Sequence, residues 1–490
     1  MEPSMNSCGA PSVATPRIAI VGGGFSGTMT SFHLLRLVPS ASVTMFERVP
    51  AQIAGGNAYT PSSEHHLLNV PAGSMGARAQ DPGEFLQWLI ARDQKVQGSS
   101  FVSRRFYGEY LTEILTHMRE TATGHFQTIF DEVVSIRRPP SAELEIRTAA
   151  GTLLKFDHLI IATGTTPRII PTSGTKESLR RRVVMRPWSE SIFKVASPTD
   201  SIALVGSGLS AVDILVEGSK QSFQGSYRVI SPRGAFPCMH AEDLSPIAPL
   251  PATPPWTSVL GALRGIRALT SNYAEWQHAI DALRPHLNKI WNNFPEVERH
   301  RFFRHAATIW DRHRHRMPRS AFAVISQLQA EGRLTIHTGQ ASKITASSSH
   351  AAVVIRGRGS QSSREIQADR VVNCSGFTLN ITHSPSPLTK SLLENRLGHI
   401  GNYGCGWRCD ENGALTTPEG QRIPGLWAIG SLRRGSELEC TAARELRVQA
   451  ENLAKSVAQE FQGSLTTASG PRALDVMSHG IPKKVAQYLE

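Results

Sequence analysis

The stretch RIAIVGGGFSG, residues 17–27, decides the fold of this 490-residue chain. A short β-branched strand runs into a glycine-rich loop of the form GxGxxG, and an amphipathic helix is predicted to follow. Gly22 permits the tight turn, Gly24 lets the backbone approach a pyrophosphate, and Gly27 lets the helix pack on the strand. The stretch therefore predicts the start of a dinucleotide-binding βαβ unit.

The residues around this loop complete the predicted site. Phe25 and Ser26 begin the helix, whose free N–H groups attract phosphate. A second strand, residues 42–46, is followed by Glu47 and Arg48, and Glu47 stands 20 residues beyond the last glycine of the loop. A carboxylate at this distance accepts hydrogen bonds from ribose hydroxyls. A glycine-rich turn that binds nothing would leave this acid unexplained.

Two later segments indicate that the first site holds FAD rather than NAD. The apolar run 156–164 ends in Ala-Thr-Gly, which many two-domain flavoproteins use as a strand beside the dinucleotide. The run 425–430 ends in a glycine that is predicted to return to the ribityl chain of the flavin, although Ser431 stands where many such proteins have Asp. The residues predicted to contact FAD in and near these later strands are Val134, Ala162, Thr163, Gly164 and Gly430.

A second fingerprint lies near the middle of the chain. The strand 200–205 leads into a GxGxxA loop, and the next strand, 227–230, is followed by Ser231 and Arg233 rather than by an acid. An acid there would repel a 2′-phosphate, whereas serine and arginine can hydrogen-bond one. The sequence therefore favours NADPH, with a surface role for Arg233 as the alternative. The residues predicted to contact NADPH are Gly206, Ser207, Gly208, Leu209, Ser210, Ser231 and Arg233.

The order of the two fingerprints predicts the architecture. We expect an α/β fold with two Rossmann-like dinucleotide-binding domains, the NADPH domain inserted in a discontinuous FAD domain. In this layout the protein orients the two cofactors, and hydride passes from nicotinamide to flavin. The expected boundaries are 1–16 for a disordered N-terminus, 17–195 and 368–460 for the FAD domain, 196–367 for the NADPH domain, 256–330 for a helical insertion and 461–490 for a C-terminal tail.

Composition and cysteine spacing narrow the classes of function. The net charge of +12 is spread along the chain, and no apolar run reaches the length of a transmembrane helix. The six cysteines form no CxxC pair, which argues against a disulfide reductase. We expect a cytoplasmic protein with no metal site, no membrane association and no nucleic-acid partner. Nucleic-acid binding through the positive charge, or flavin binding without turnover, are alternatives from other classes.

Several further motifs stand along the chain. They are GNAY at 56–59, HLLNVPA at 66–72 with Met75, RFYGEYL at 105–111, SPRG at 231–234 with Pro237 and His240, WDRHRHRMP at 310–318, NCSG at 373–376, RRG at 433–435 and ELR at 445–447. These motifs resemble those of the bacterial FAD/NAD(P)-binding proteins of the YdhS-like group. The resemblance spans roughly residues 17–455 and extends to the class B flavin-dependent monooxygenases, although VMRPW at 184–188 replaces their usual linker signature.

The resemblance implies a monooxygenase that uses FAD, NADPH and molecular oxygen through a flavin C4a-hydroperoxide. N-hydroxylation of an amino acid, with an acidic one such as aspartate as a candidate, is the leading subclass, and the setting is natural-product biosynthesis. An NADPH oxidoreductase that reduces an acceptor other than oxygen is the alternative. The sequence names neither the substrate nor the oligomeric state.

Few side chains are expected to take part in the chemistry. Tyr59 and Asn69 are candidate catalytic residues, because both can hydrogen-bond flavin or substrate; loop packing is the alternative. Arg316, in the basic run 312–316, is a third candidate as an anion-binding residue, with a solvated basic helix end as the alternative. A helix beginning at 441–443 is expected to point its N-terminus at the flavin. The candidates on the flavin side are Asn57, Tyr59, Leu68, Asn69 and Met75.

Overall fold

The computed structural model describes residues 15–468 apart from 61–62, 141–142, 189–190, 358–361 and 379. Nearly all of the predicted N-terminal lead-in, and the predicted tail from residue 469 onward, lie outside the described residues. Within the described part, no helix combines the length and apolar character that crossing a membrane requires.

The strands are short and mostly apolar. They are β1 Arg17–Val21, β2 Ser42–Phe46, β3 His125–Ile129, β4 Val133–Arg137, β5 Leu144–Thr148, β6 Leu153–Phe156, β7 His158–Ile161, β8 Thr166–Pro167, β9 Thr172–Gly174, β10 Val183–Val184, β11 Ser201–Val205, β12 Ser226–Ser231, β13 Leu334–Thr338, β14 Gln340–Ala346, β15 Ala351–Arg356, β16 Ser363–Ala368, β17 Arg370–Asn373, β18 Phe377–Thr378, β19 Ala414–Thr416 and β20 Arg422–Ala428.

The helices alternate with these strands at both ends of the chain and cluster in its middle. They are α1 Phe25–Leu37, α2 Gly56–Tyr59, α3 Glu84–Ile90, α4 Arg104–Thr121, α5 Lys176–Arg182, α6 Leu209–Lys220, α7 Val259–Thr270, α8 Trp276–Leu283, α9 Leu287–Asn293, α10 Glu296–Arg301, α11 Ala307–Arg314, α12 Arg319–Ala330, α13 Pro387–Glu394 and α14 Ala443–Ala468, with a π-helical turn at Phe302–Ala306.

The first sheet has the strand order β19-β20-β7-β1-β2-β3 and is parallel except for β19. Its central strands are buried on both faces, which explains their continuous apolar sequence. Helices α1 and α14 pack together over one face. The small antiparallel sheet β4-β5-β6 and helix α13 cover the other face.

The second sheet has the order β10-β17-β11-β12-β13 and is parallel throughout. Helices α6 and α12 cover one of its faces, and the antiparallel strands β14, β15 and β16 cover the other. In the chain, all strands of this sheet lie between β7 and β20, which are neighbours in the first sheet. The predicted α/β fold with parallel dinucleotide-binding sheets is confirmed.

Helices α7 to α11 form a separate layer with its own apolar cluster. Trp291 is 1 % exposed at its centre, and the rings of Phe302 and Phe303 each lie 5.4 Å from the Trp291 ring. Leu438 from the segment before α14 joins the same cluster. This layer therefore packs against the end of the chain that returns to the first sheet.

We expect Leu204→Ala to lower the free energy of unfolding by about 2–5 kcal/mol. Leu204 lies in β11 with no exposed surface, among the side chains that α6 and α12 bury against the second sheet. Truncation leaves a cavity that rigid strands on both sides cannot fill. Urea denaturation measures the change. Leu153→Ala is the control, because Leu153 is 48 % exposed, and a loss above about 1 kcal/mol there would contradict this account.

Candidate active site

The first glycine loop lies between the carboxyl ends of β1 and β7. Gly22 has a φ of +108°, and a methyl group there would lie 2.4 Å from the Ala162 carbonyl oxygen and 3.0 Å from the Thr163 nitrogen. A methyl group at Gly27 would lie 2.0 Å from the Gly22 carbonyl oxygen, so α1 packs directly on the turn. Both glycines are required by close backbone approach, as the fingerprint predicts.

The N-terminus of α1 carries no side-chain cap, and its first turn has no acid. Its free N–H groups are therefore available to an anion. Glu47 is 8 % exposed and accepts hydrogen bonds from the backbone N–H groups of Gly23 and Val49, each at 2.9 Å. Glu47 thus ties the loop to the end of β2, and a ribose hydroxyl would be a further partner. A methyl group at Gly430 would lie 3.4 Å from Ser26 Oγ, so the late strand does return to this loop.

The other residues predicted for FAD lie around this loop at varying depth. Gly24 faces Gly56 at the start of α2, where a methyl group would lie 3.3 Å from the Gly56 Cα. Phe25 is buried and stacks on Tyr107 with 6.2 Å between ring centroids. Gly164 has a φ of +69° and open space at its Cβ position.

The remaining four lie further from the loop or pack into the protein. Asn57 Oδ1 accepts a hydrogen bond of 2.7 Å from Gln52, and Leu68 is buried in the core under α1. Arg48 pairs with Glu132 at 3.3 Å. Val134 lies at an irregularity in β4, outside the two parallel sheets.

The second glycine loop repeats the plan of the first. Gly206 has a φ of +115°, and a methyl group there would lie 2.1 Å from the Cys374 carbonyl oxygen at the end of β17. Gly208 caps α6 without a side-chain hydrogen bond, and a methyl group at Gly208 would meet no atom within 4 Å. Ser207 Oγ donates to the Ala235 carbonyl at 2.7 Å. The loop is therefore fixed by the Ser207 hydrogen bond and has open space at Gly208.

The two residues predicted to recognise a 2′-phosphate lie at the end of β12 and beyond it. Ser231 is buried, and its Oγ accepts a hydrogen bond of 2.9 Å from the Gly234 nitrogen. Arg233 is exposed and donates to the His305 carbonyl at 3.3 Å. Arg233 is therefore anchored by one hydrogen bond and still accessible to an anion.

One residue predicted for each site lines a small cavity, which we call the junction. Asn69 from the first part of the chain and Leu209 from α6 both line it, and its volume of about 10 Å³ is that of one water position. The Asn69 carbonyl accepts a hydrogen bond of 2.9 Å from His240 Nε2. Tyr59 instead packs against Phe25 and Tyr107, and burial raises its pKa to about 12. Asn69 is thus at the junction, and Tyr59 lies in the aromatic layer behind the first loop.

The basic run 312–316 does not form one surface. Arg312 is exposed and donates to the Phe236 carbonyl at 2.9 Å, while Arg314 is buried and lies 3.0 Å from Glu439. Arg316 is 4 % exposed and pairs with Asp281 at 2.5 Å. The interior end of this run therefore enters an ionic cluster that joins the helical layer to the start of α14.

The cluster contains two arginines that the sequence did not indicate, Arg284 and Arg444. Arg284 forms two hydrogen bonds with Glu445, at 2.5 and 2.8 Å. Arg444, at the start of α14, has a buried Nε and no hydrogen-bond or ion-pair partner among the described residues. Burial and the nearby cations lower the pKa of Arg444 to about 10. The ionic cluster consists of Arg284, Arg314, Arg316 and Arg444 with Asp281, Glu439 and Glu445.

His240 lies beside this cluster and links it to Asn69. Burial is the main cause that lowers the pKa of His240 to about 4, and Arg316 and Arg444 contribute, while the bond to the Asn69 carbonyl and the charge of Asp281 oppose the shift. His240 is therefore neutral at neutral pH. With Nε2 donating, its Nδ1 carries a lone pair. The four parts of the chain that meet here are each too distant in sequence for any local pattern to have signalled the contact.

We expect part of the stability of the protein to be lost as pH falls from about 6.5 to 4, because His240 resists protonation in the folded state. The unfolded chain then binds the proton first, so folding weakens through this window. At pH 4.5 the loss from His240 alone is about 2–3 kcal/mol. We would measure unfolding of wild type and His240→Gln at pH 7.5 and 4.5. Their difference should shift by this amount; an equal difference at both pH values would contradict the prediction. Burial also lowers the pKa of three other histidines, which titrate alike in both proteins: His33, His158 and His315.

Comparison with known proteins agrees with this geometry. Residues 19–166 match the model of a family described as FAD-NAD(P)-binding, which confirms the prediction of such a region around the first glycine loop. No curated protein matches the chain.

Several solved structures are similar over almost the whole chain. A cadaverine monooxygenase from the desferrioxamine pathway of Erwinia amylovora, solved with FAD, has a TM-score of 0.62 at 11 % identity, covering 96 % of this chain and 99 % of its own. An ornithine N-hydroxylase of Kutzneria sp. 744, solved with reduced FAD, NADP+ and L-ornithine, has a TM-score of 0.61 at 15 % identity, covering 91 % and 100 %. Ornithine hydroxylase from Pseudomonas aeruginosa has a TM-score of 0.60 at 18 % identity, covering 91 % and 99 %. At these identities the likeness shows a shared fold.

Proposed function

We propose that the chain is an FAD- and NADPH-dependent monooxygenase that N-hydroxylates the amino group of an amino acid, with an acidic amino acid as the preferred substrate. The observation that carries the proposal is the junction itself. Asn69, predicted for the FAD side, lines the same cavity as Leu209 of the second glycine loop. The Asn69 carbonyl is bonded to His240, which lies beside the cluster that holds Arg444 without an internal partner. The similar solved structures include enzymes that hydroxylate ornithine and cadaverine, which supports the reaction class.

The residues present fit two dinucleotide cofactors. Each glycine loop stands at the carboxyl end of a parallel strand, and each is followed by a helix of at least 12 residues whose N-terminus has no side-chain cap. Uncapped N–H groups and the helix dipole together bind pyrophosphate. The open space at Gly208 leaves room for close approach. When bound, FAD would accept hydride from NADPH and activate oxygen.

The protein would contribute binding and orientation of the amino acid. Arg444 can bind a carboxylate through two parallel N–H···O bonds, and an incoming anion would balance its charge. Arg316, whose Nε is also buried without a hydrogen bond, pairs with Asp281, and the charge of Asp281 also acts on Arg444. The neutral His240 can accept a hydrogen bond at Nδ1 from the ammonium group of the substrate. An acidic amino acid offers two carboxylates to such a surface, which is the reason for preferring it.

The finer sequence predictions belong to the same proposal. We propose the domain boundaries at 195, 367 and 460, Asn69 and Arg316 as residues on the substrate side, and Tyr59 on the flavin side. The interleaving of the two sheets supports the division into domains. Membership of the YdhS-like group is also part of the proposal and is supported by the motifs alone.

The test begins with the visible spectrum of the purified protein. NADPH oxidation in air is then followed with a panel of amino acids and diamines, including aspartate, glutamate, ornithine and lysine. Hydrogen peroxide and hydroxylamine products are quantified in the same samples. Stimulation by an acidic amino acid with a matching N-hydroxylated product supports the proposal in full. Flavin reduction without any oxygenated product would favour an oxidoreductase with another acceptor, and absence of flavin would overturn the proposal.

A further inference from the structure

Helix α6, which follows the second glycine loop, carries two buried acids on one face. Asp213 and Glu217 are four residues apart, so their side chains lie one turn above the other. They are 6 % and 0 % exposed. Asp213 also lines the cavity that Leu209 and Asn69 share. Both contact residues from the first part of the chain.

Glu217 is held by partners on three sides. Its Oε2 accepts a hydrogen bond of 3.1 Å from His66 Nε2, and His66 is itself fully buried. Its Oε1 accepts 2.7 Å from Ser191 Oγ, in the segment that enters the second sheet, and 3.2 Å from Gln221. Burial would raise the pKa of Glu217, but the hydrogen bonds from His66 and Ser191 outweigh it and lower the pKa overall.

Asp213 makes the parallel contact with Arg104 at the start of α4. Its Oδ2 lies 3.1 Å from an Arg104 nitrogen. Arg104 also donates from Nε to the Leu67 carbonyl at 2.9 Å and from its backbone N–H to the His66 carbonyl at 2.8 Å. The guanidinium lies over the Trp188 ring, 5.2 Å from its centroid. The two acids therefore bind His66 and Arg104, which are hydrogen-bonded to each other through the backbone.

Stability alone does not explain two buried acids at this boundary. Apolar side chains of similar volume would hold such an interface together at least as well, because burying charges costs desolvation free energy. A paired acid also fixes the position of the helix relative to its partners, because hydrogen bonds require a particular distance and angle. The helix held in this way begins at Leu209, which shares a cavity wall with Asn69. The register of α6 therefore sets where the second loop faces the first site.

We propose that Asp213 and Glu217 are positioning residues that fix the second glycine loop against the first dinucleotide site, through Arg104 and His66, so that hydride transfer depends on them. The inference rests on the proposed function in one respect only, that both loops hold redox cofactors. Within the described part of the chain, the side-chain hydrogen bonds and ion pairs of these acids go to residues outside both glycine loops. They act through the orientation of α6.

The test compares Glu217→Gln and Asp213→Asn with Asp200→Asn in the full-length holoprotein. Asp200 pairs with Arg370 at 2.7 Å within the second sheet, so its loss does not cross the boundary. Flavin reduction is followed anaerobically at saturating NADPH, and separately with dithionite, which needs no nucleotide site. We expect the two boundary variants to slow reduction by NADPH about 10- to 100-fold, the cost of a small misplacement of the donor, with dithionite reduction unchanged. Asp200→Asn should reduce at the wild-type rate.

Hydrogen–deuterium exchange gives a second readout that needs no turnover. The amides of Arg104 and Leu68, bonded to the His66 and Val102 carbonyls, should exchange faster in Glu217→Gln and stay protected in Asp200→Asn. Wild-type reduction rates in both boundary variants would overturn the inference, as would unchanged exchange. If Glu217→Gln fails to fold, Ser191→Ala removes one hydrogen bond to the same carboxylate and should show the same pattern more weakly. If the wild type holds no flavin, the proposed function fails first; the exchange result still decides whether the acids fix the boundary.

Discussion

Gly208→Ala raises the NADPH concentration needed for half-maximal flavin reduction by about 10- to 100-fold, while the free energy of unfolding changes by less than about 1 kcal/mol, because alanine is a poorer N-cap than glycine but restricts the unfolded chain. Gly208 has an ordinary φ of −76°, and an added methyl group meets no protein atom within 4 Å. The folded protein therefore accommodates alanine at this position, and the substitution weakens the binding of NADPH instead. The methyl group occupies the space through which pyrophosphate approaches the backbone, and each charge-assisted hydrogen bond lost costs about 1.5–3 kcal/mol. Stopped-flow reduction and urea denaturation measure the two quantities.

Gly206→Ala is the matched contrast two residues earlier. Its methyl group would lie 2.1 Å from the Cys374 carbonyl at a φ that favours glycine, so we expect lost stability rather than selective loss of NADPH. Unchanged NADPH dependence in a stable Gly208→Ala protein would mean that this loop does not hold the pyrophosphate, and the assignment of the second site would fall.

Arg444→Met raises the KM for an acidic amino acid about 100-fold and at the same time raises the thermal midpoint of unfolding. The two effects share one cause. A mostly buried guanidinium without a partner destabilises the folded protein, and the same guanidinium gains a strong bidentate bond when a carboxylate arrives. Methionine keeps most of the volume and removes the charge. Steady-state kinetics with NADPH at saturation and differential scanning calorimetry measure the pair of effects.

Arg284→Met is the control, because it removes a similar charge from the same cluster. Arg284 donates two hydrogen bonds to Glu445, so its loss leaves this carboxylate with only the longer ion pair to Arg314 at 3.5 Å and should lower stability by about 1–3 kcal/mol. The two variants therefore have opposite signs in calorimetry. A fall in the thermal midpoint for Arg444→Met, or an unchanged KM, would show that Arg444 does not bind the carboxylate of the substrate.

The glycine loops were predictable because their requirements are local. A positive φ at Gly22 or Gly206, and the packing of Gly27 on the turn, are imposed within a few residues of the strand that precedes them. Helix α14 begins at Ala443, within the predicted 441–443, and this start also depends on residues close together in the chain. These features needed no knowledge of the rest of the chain.

The ionic cluster was not predictable from the sequence, because its pairs join residues far apart in the chain. Arg314 pairs with Glu439 and Arg316 with Asp281, so a basic run that reads as one anion site is divided between two acids. Arg444 differs from the other arginines of the cluster because it has no hydrogen-bond or ion-pair partner among the described residues, and a missing partner leaves no pattern in the sequence. Glu47 differs again: its spacing from the loop is predictable, but its bonds to the Gly23 and Val49 nitrogens depend on how the loop closes.

The interleaving of the two sheets has a consequence for the newborn chain. The ribosome releases β1, β2, β3 and β7 first, then the entire second sheet, and only then β20 and α14. Until β20 and α14 emerge, the face of α1 that α14 covers stays in contact with water, and Trp427 has no place in the first sheet. The second sheet, whose strands all fall within residues 183–373, can close earlier. The sheet whose first strands are translated first is thus the one completed last.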